Sequence, residues 1–176
     1  LSYTKTGGLV LGAAVPCYKV YENKEISKAY PGVNDSASLI GGIQIQSRAS
    51  IGGNLCNSAP SADAIPALIA YRAVANIQGP KGKRSVPVEE FCTGPGKNVL
   101  KPGELLVSIK LPPPKPGTGA NYLRFIPRNE MDIAVAGSGV SVVLTNGKIA
   151  SARIALSSVA PTPVMATAAM EYLAGK

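Results

Sequence analysis

The residues best placed to do chemistry lie in the stretch Ala49 to Asp63, ASIGGNLCNSAPSAD. The adjacent glycines Gly52 and Gly53 open backbone conformations closed to other residues, and they let main-chain N–H groups approach a ligand. Ser50 and Asn54 add side-chain hydrogen-bonding groups on either side of Ile51. Ser50 to Asn54 therefore read either as a cradle for an anion or nucleotide or as a plain turn. Asp63 stands nine residues after Asn54. It either caps a helix or accepts hydrogen bonds from ligand hydroxyls. Cys56 is either a thiol beside that ligand or a small buried hydrophobe.

Other chemistries are excluded. The chain of 176 residues has no His. That removes Ser-His-Asp and Cys-His catalysis and every His-containing metal site. Catalysis would fall to Lys, Tyr, a carboxylate or a bound cofactor. Gly94-Pro-Gly96-Lys97 resembles the end of a P-loop, but Asn98 stands where Ser or Thr should hold magnesium. No Gly-x-Gly-x-x-Gly follows a strand, so a Rossmann fold is not expected. Cys17, Cys56 and Cys92 are odd in number and lack the short spacing of a metal site. They read as reduced thiols of a cytoplasmic protein. No apolar run approaches the ~20 residues of a membrane helix, and no secretory start is present. The net charge is +8, with Lys81, Lys83 and Arg84 densest at a hairpin tip. That tip reads as a solvated turn or as a docking patch for an acidic partner. No helix-turn-helix, zinc-finger or aromatic-basic pattern supports nucleic acid.

The elements that must hold these residues follow from patterning. Gly8 to Val15 reads as a buried strand, and Cys17 to Tyr30 as a helix closed by Tyr-Pro-Gly. Asn34 or Asp35 is expected to cap a short helix running to Ile40, with Gly41-Gly42 ending it. A second helix is expected from Ser61-Ala-Asp63 to Arg72, with Pro66 tolerated in its first turn. Val74–Gln78 and Arg84–Val88 pair as a hairpin, Val88–Cys92 forms a helical turn, Thr93–Gly103 is a loop, and Leu105–Leu111 is a strand. Pro112 to Gly117 is a stiff linker. Three strands follow, Asn121–Ile126, Gly139–Leu144 and Lys148–Leu156, the last two joined by an Asn-Gly turn. Thr162–Leu173 reads as a helix stopped by Gly175. The class is α+β, in two lobes split near residue 114.

The glycine-rich stretch resembles the second FAD motif in flavin subunits of molybdenum hydroxylases, the xanthine and carbon monoxide dehydrogenase type. That motif pairs Gly-Gly-Asn with an Asp nine residues later, as Asn54 and Asp63 stand here. Other segments match in order. GLVLGAAV resembles the strand opening that lobe, and FCTGPGKNVLKPGELL resembles its Gly-rich loop and strand. Tyr122 to Ala134 is similar to the segment opening the smaller C-terminal domain. The resemblance implies that residues 1–113 are the second lobe of a vanillyl-alcohol-oxidase/PCMH-like FAD domain. Residues 114–176 would be an incomplete C-terminal domain of small antiparallel sheet plus helix. The family's earlier Ala-Gly-Gly phosphate loop has no counterpart here, so the chain is expected to be a middle segment of a longer protein.

Carried over by position, the resemblance implies that Ser50, Ile51, Gly52, Gly53 and Asn54 line the FAD phosphates and flavin edge. Asp63 would contact the hydroxyl-bearing part of the cofactor, and Leu106 would lie against it from the neighbouring strand. Arg124 stands where the family often has a Lys near the ring. Ile40 would pack near the cofactor, and Cys56 would fall close to the ring. The resemblance also implies partner subunits holding 2Fe-2S clusters and the molybdenum cofactor. Electrons would pass through this FAD to NAD or oxygen, and neither a catalytic residue nor a metal ligand is expected here. The other readings are a stand-alone flavin oxidoreductase of the same fold and a non-catalytic docking module.

Overall fold

The computed structural model describes residues 1–4, 6–129 and 131–176. Two antiparallel sheets clasp a layer of helices. The first sheet has five strands in the order β1-β2-β7-β3-β4. These are β1 (Ser2–Tyr3), β2 (Leu9–Gly12), β7 (Leu105–Leu111), β3 (Val74–Gly79) and β4 (Gly82–Pro87). Alternation puts Leu9, Leu11, Ala75, Ile77, Ile109 and Leu111 on one face, all buried. Helices α1 (Cys17–Tyr21), α2 (Lys24–Ala29), α3 (Pro31–Leu39), α4 (Ile51–Asn57) and α5 (Ala64–Ala70) accompany that sheet. Val20, Ile26, Val33, Leu55, Ile65 and Leu68 complete the same core. Tyr30 fastens it: its hydroxyl accepts from Leu9 N–H at 3.2 Å and donates to Pro112 C=O at 3.1 Å.

The second sheet runs β11-β10-β9-β8. Its strands are β8 (Thr118–Phe125), β9 (Ala136–Thr145), β10 (Lys148–Ser157) and β11 (Val164–Met165), followed by α6 (Thr167–Leu173). The hairpin between β9 and β10 turns at Asn146 and Gly147, whose φ values of 53° and 76° give the type I′ geometry that Asn-Gly favours. Between β4 and β7 in the chain, where a loop was expected over Thr93–Gly103, a 3-10 turn (Val88–Glu90) leads to a ribbon of β5 (Cys92–Gly94) and β6 (Lys97–Asn98).

Several sequence expectations change. The helix expected over Cys17–Tyr30 is two helices, because Asn23 leaves helical geometry and its side chain caps α2 through Glu25 and Ile26 N–H. Asn34 and Asp35 do not cap α3. Pro31 opens that helix instead, and both residues lie inside it. The helix expected to reach Arg72 ends at Ala70, and Arg72 is left-handed at φ 56°. The last helix starts at Thr167 rather than Thr162, since Val164–Met165 is drawn into pairing with Ala155 and Leu156 of β10. The strand Leu105–Leu111 and the hairpin over Val74–Val88 are found as expected, the latter closed by Pro80-Lys81.

Helix α5 explains why the two sheets stay together. Every residue of AIPALIA is buried, as expected for a helix covered on all sides. It packs against β9 and β10 of the second sheet. Gly139 on β9 makes the approach possible: a Cβ there would stand 2.4 Å from the Pro66 carbonyl carbon and 2.5 Å from Ala67 N. Gly139→Ala is therefore expected to destabilise the chain by about 1–3 kcal/mol, because only backbone could yield. Urea unfolding would check it, and an unchanged midpoint would mean that α5 is not fixed against β9. Arg153 adds a second tie, donating to Ile69 C=O at 2.7 Å and pairing with Glu89.

Candidate functional site

The glycine-rich stretch is not a loop. Ile51 to Asn57 is helix α4, with Ser50 as its N-cap, and Ser50 Oγ accepts from Gly53 N–H at 3.0 Å. The expectation that Gly52 and Gly53 supply unusual backbone conformations fails, because both are helical; their smallness matters instead. A Cβ on Gly52 would lie 2.4 Å from the Ala13 carbonyl oxygen and 2.6 Å from Ala13 Cα. Gly52 thus lets α4 seat on the turn after β2. A Cβ on Gly53 would meet only Ser50 Oγ, at 3.1 Å, and the residue is exposed.

The same turn is tied to β7. Ala13 N–H donates to Val107 C=O at 2.9 Å. Val107 is the extra residue of a β-bulge, since Asn76 pairs with Ser108 and Ile77 with Leu106. The bulge leaves Leu105 and Val107 exposed while Leu106 packs against the core. A recess of about 510 Å³ opens beside the turn, lined by Gly12 to Pro16, Lys19 and Val107.

Asn54 Oδ1 accepts from Ala64 N–H at 3.1 Å and so does the capping that was one of the two readings of Asp63. Asp63 occupies the N-cap position of α5 but caps nothing. Its carboxylate is spoken for elsewhere. Oδ1 accepts from Tyr122 Oη at 2.8 Å, and Oδ2 accepts from Arg124 Nη1 at 3.1 Å. Nη1 also donates to Leu39 C=O at 3.1 Å. The Asp63 and Arg124 side chains are only 10% and 8% exposed, so this is a buried ion pair. Burial pushes the Asp63 carboxyl above the usual range, against the pull of Tyr122 and Arg124. The Tyr122 hydroxyl is pushed up by burial and by the Asp63 charge.

Arg124 Nε is buried and has no hydrogen-bond partner among the described residues. Such an orphaned donor is costly unless something accepts from it. Arg124 lines a recess of about 490 Å³ with Leu39, Tyr122, Leu123, Ile126 and Asn129. Apolar side chains stand exposed on this part of the chain: Leu123, Phe125, Met131, Ile133 and Val135. A flat apolar ring carrying hydrogen-bond acceptors fits such a place, with one buried cation and an apolar surround.

The other expected site residues are distributed as follows. Ile40 is buried at the end of α3, next to the Leu39 carbonyl that receives Arg124. Cys56 lies against the ribbon of β5 and β6, where Asn98 Nδ2 donates to its carbonyl at 2.8 Å. Burial pushes its thiol up, with the nearby Cys92 adding to the effect. Burial likewise pushes Cys17 up, to about 11. Thus α4, α5, the end of α3 and β8 bring Asn54, Asp63 and Arg124 into one connected array, with Ser50 to Gly53 leading from it to β7. Sequence reasoning missed the Tyr122 hydroxyl, the Leu39 carbonyl and the Ala13 backbone. Tyr122 alone carried a signal, standing two residues before Arg124 and so on the same strand face.

The basic hairpin tip is partly neutralised. Arg84 grips Glu104 through Nε at 2.8 Å and Nη2 at 2.7 Å, and Nη2 also reaches Val99 C=O at 2.8 Å. The guanidinium and the Lys101 N–H hold the Glu104 carboxyl down to about 2. A lowered value means stability that is present above the ordinary carboxylate range and lost as pH falls toward 2. An NMR titration of the Glu104 carboxyl is expected to show a midpoint near 2. A midpoint in the ordinary carboxylate range would mean that the pair is open in solution.

Residues 2–114 match the model of the FAD binding domain in molybdopterin dehydrogenase, and residues 121–176 match the CO dehydrogenase flavoprotein C-terminal domain. The chain belongs to this family of molybdopterin dehydrogenase FAD-binding domains. It is 36% identical over 165 residues to the xanthine dehydrogenase FAD-binding subunit of Escherichia coli O157:H7, covering 93% of this chain and 56% of that protein. It is 32% identical over 168 residues to the carbon monoxide dehydrogenase medium chain of Afipia carboxidovorans, covering 95% and 58%. Among solved structures, carbon monoxide dehydrogenase from Hydrogenophaga pseudoflava superposes with a TM-score of 0.94 at 31% identity, covering 99% of this chain and 60% of the other. The chain thus spans under two thirds of the length of these relatives. The expected vanillyl-alcohol-oxidase/PCMH-like FAD-domain lobe followed by an antiparallel-sheet domain is the fold found. Among the described residues, no helix is long and apolar enough to cross a membrane.

Proposed function

We propose that this chain is part of the FAD-binding electron-transfer subunit of a molybdenum hydroxylase. Its cofactor would lie along the array from β7 and α4 to Arg124. The reading divides the chain at residues 113 and 114, with the FAD lobe before and the C-terminal domain after. The observation that carries it is Arg124: a buried cation, tied at Nη1 to Asp63 and to the Leu39 carbonyl, that lines an apolar-rimmed recess. Bound FAD supplies the electron storage and transfer that no side chain here can.

The chain's own residues do the rest. Gly53 leaves space where a backbone N–H can meet the cofactor, and Ser50, Ile51 and Gly52 fix that backbone. Asn54 holds α5 at the correct distance. Leu106, Ile40 and Cys56 supply apolar packing around the site. Arg124 provides positive charge against the electron density that a flavin gains on reduction. Substrate oxidation belongs to a molybdenum-cofactor subunit, and an iron–sulfur subunit with 2Fe-2S clusters delivers the electrons. The acceptor is a small molecule such as NAD or oxygen, and the complex is cytoplasmic. The test is to purify the full-length protein that contains this chain and quantify the flavin released on denaturation. Stoichiometric FAD is expected. Protein free of flavin after growth with ample riboflavin would end the reading.

A further inference from the structure

The inner face of the second sheet runs on past the helix that covers it. Gly139 of β9 lies under α5, and alternation puts Ser141 and Val143 further along the same face. Their partners across β10 are Arg153 and Ser151, and Thr118 of β8 pairs with Val143. Helix α5 ends at Ala70, so this stretch of sheet is left as the floor of a recess of about 250 Å³. Pro112 to Pro114 form one wall, and Arg72 and Lys115, both exposed, complete the lining. Three cations meet there, and none of the residues lining the recess is acidic. Arg153 is held by the Ile69 carbonyl and by Glu89. Burial pushes its guanidinium down, and the charge of Arg72 adds to the effect. Among the described residues, neither Arg72 nor Lys115 has an ion-pair partner.

Arg72 is also placed against local preference. Its N–H donates to Ile69 C=O and the Ala73 N–H donates to Leu68 C=O, each at 2.9 Å. That pattern closes α5 as a Schellman motif, with Arg72 at the left-handed position, φ 56°, that glycine favours. The same bonds occupy carbonyls at the negative end of the helix, which would otherwise repel an anion. A cation kept at backbone cost beside a second, mostly buried arginine points to a ligand of opposite charge. We propose that this recess binds a small phosphate-type oxyanion, either free phosphate or a compact phosphate ester. Arg72, Lys115 and Arg153 supply the charge, and the hydroxyls of Ser141, Ser151 and Thr118 supply further donors. The volume is below that of pockets for drug-sized ligands, which suits a ligand of this size. The recess lies at the opposite end of α5 from Asp63, so it is separate from the proposed FAD site.

The experiment uses the full-length protein that contains this chain, incubated with FAD and then desalted. Inorganic phosphate is titrated by calorimetry at constant ionic strength, with sodium chloride as the balancing salt, since exposed charges are screened. Melting temperatures are read alongside. Phosphate is expected to bind the parent and raise its melting temperature above that in chloride of equal ionic strength. Arg72→Gly removes the cation and installs the residue that the left-handed backbone favours. It is expected to melt no lower than the parent in phosphate-free buffer, yet to bind phosphate roughly tenfold more weakly. Lys115→Gln, on the exposed linker, is the second variant and is expected to weaken binding in the same direction. Glycerol 3-phosphate in place of phosphate separates the two sources. Tighter binding of the ester assigns the recess to phosphate esters, and equal or weaker binding assigns it to free phosphate. A parent that phosphate neither binds nor stabilises would overturn the proposal. So would equal phosphate binding in the parent, Arg72→Gly and Lys115→Gln, which would place the anion elsewhere.

Discussion

Gly53→Val in the full-length protein is expected to abolish FAD retention while the fold survives. The structure separates the two glycines of the motif. At Gly53 an added Cβ meets one atom, Ser50 Oγ at 3.1 Å, and the residue faces outward. Valine is also a better helix former than glycine, so α4 itself loses nothing. Any group that needs the exposed Gly53 backbone would meet the branched side chain first. A loss of about 100-fold in affinity, roughly 2.8 kcal/mol, is the expected scale. Gly52→Val should behave differently. Its Cβ would sit within 2.8 Å of three Ala13 backbone atoms, so α4 must lift from the turn after β2. That variant is expected to lose thermal stability and flavin together. Normal flavin content in Gly53→Val would remove α4 from the site.

Arg124→Met is expected to cost about 3–5 kcal/mol of stability, because it strands a buried carboxylate with one hydroxyl for company. Restoring neutrality with Asp63→Asn in the same chain should recover most of that loss, since a neutral amide can still accept from Tyr122. The pH dependence has a definite sign. Burial already raises the Asp63 carboxyl, and removing the cation raises it further. A raised folded-state value means that stability is greatest at low pH and lost as pH rises through that value. The deficit of Arg124→Met should therefore shrink as the pH is lowered from neutrality toward the ordinary carboxylate range. Urea unfolding of the flavin-free protein across that range measures it. A deficit independent of pH would mean that Asp63 finds another counter-charge.

Much of the fold was legible because local patterns and tertiary packing agree. Val107–Leu111 alternates apolar with polar residues and lies in a strand; Asn146-Gly147 demands a tight turn and forms one. Errors arose where a single side chain redirected the backbone. Asn23 split a helix by capping its second half, and Pro31 started α3 ahead of the capping residues expected there. The glycine-rich stretch misled most. Two adjacent glycines suggest a loop, whereas here one is required by the Ala13 backbone behind it and the other leaves open space in front. Neither reason is visible without the neighbouring turn. The candidate site residues were named by resemblance to the motif. The partnership of Asp63 with Tyr122 and Arg124 links positions about sixty apart, and no spacing rule connects them.

The electron-carrying role is tested most directly by anaerobic flavin bleaching in the full-length protein, alone and assembled with iron–sulfur and molybdenum subunits. Both samples are mixed with a panel of aldehydes, purines and aromatic heterocycles, and the flavin absorbance is followed. The chain has no His, and the proposed function puts substrate chemistry on a different subunit. Bleaching is therefore expected only in the assembly, whereas chemically reduced flavin in the isolated protein should still pass electrons to small acceptors. Bleaching of the isolated protein by any of these substrates would contradict the account, because the flavin would then oxidise substrate directly.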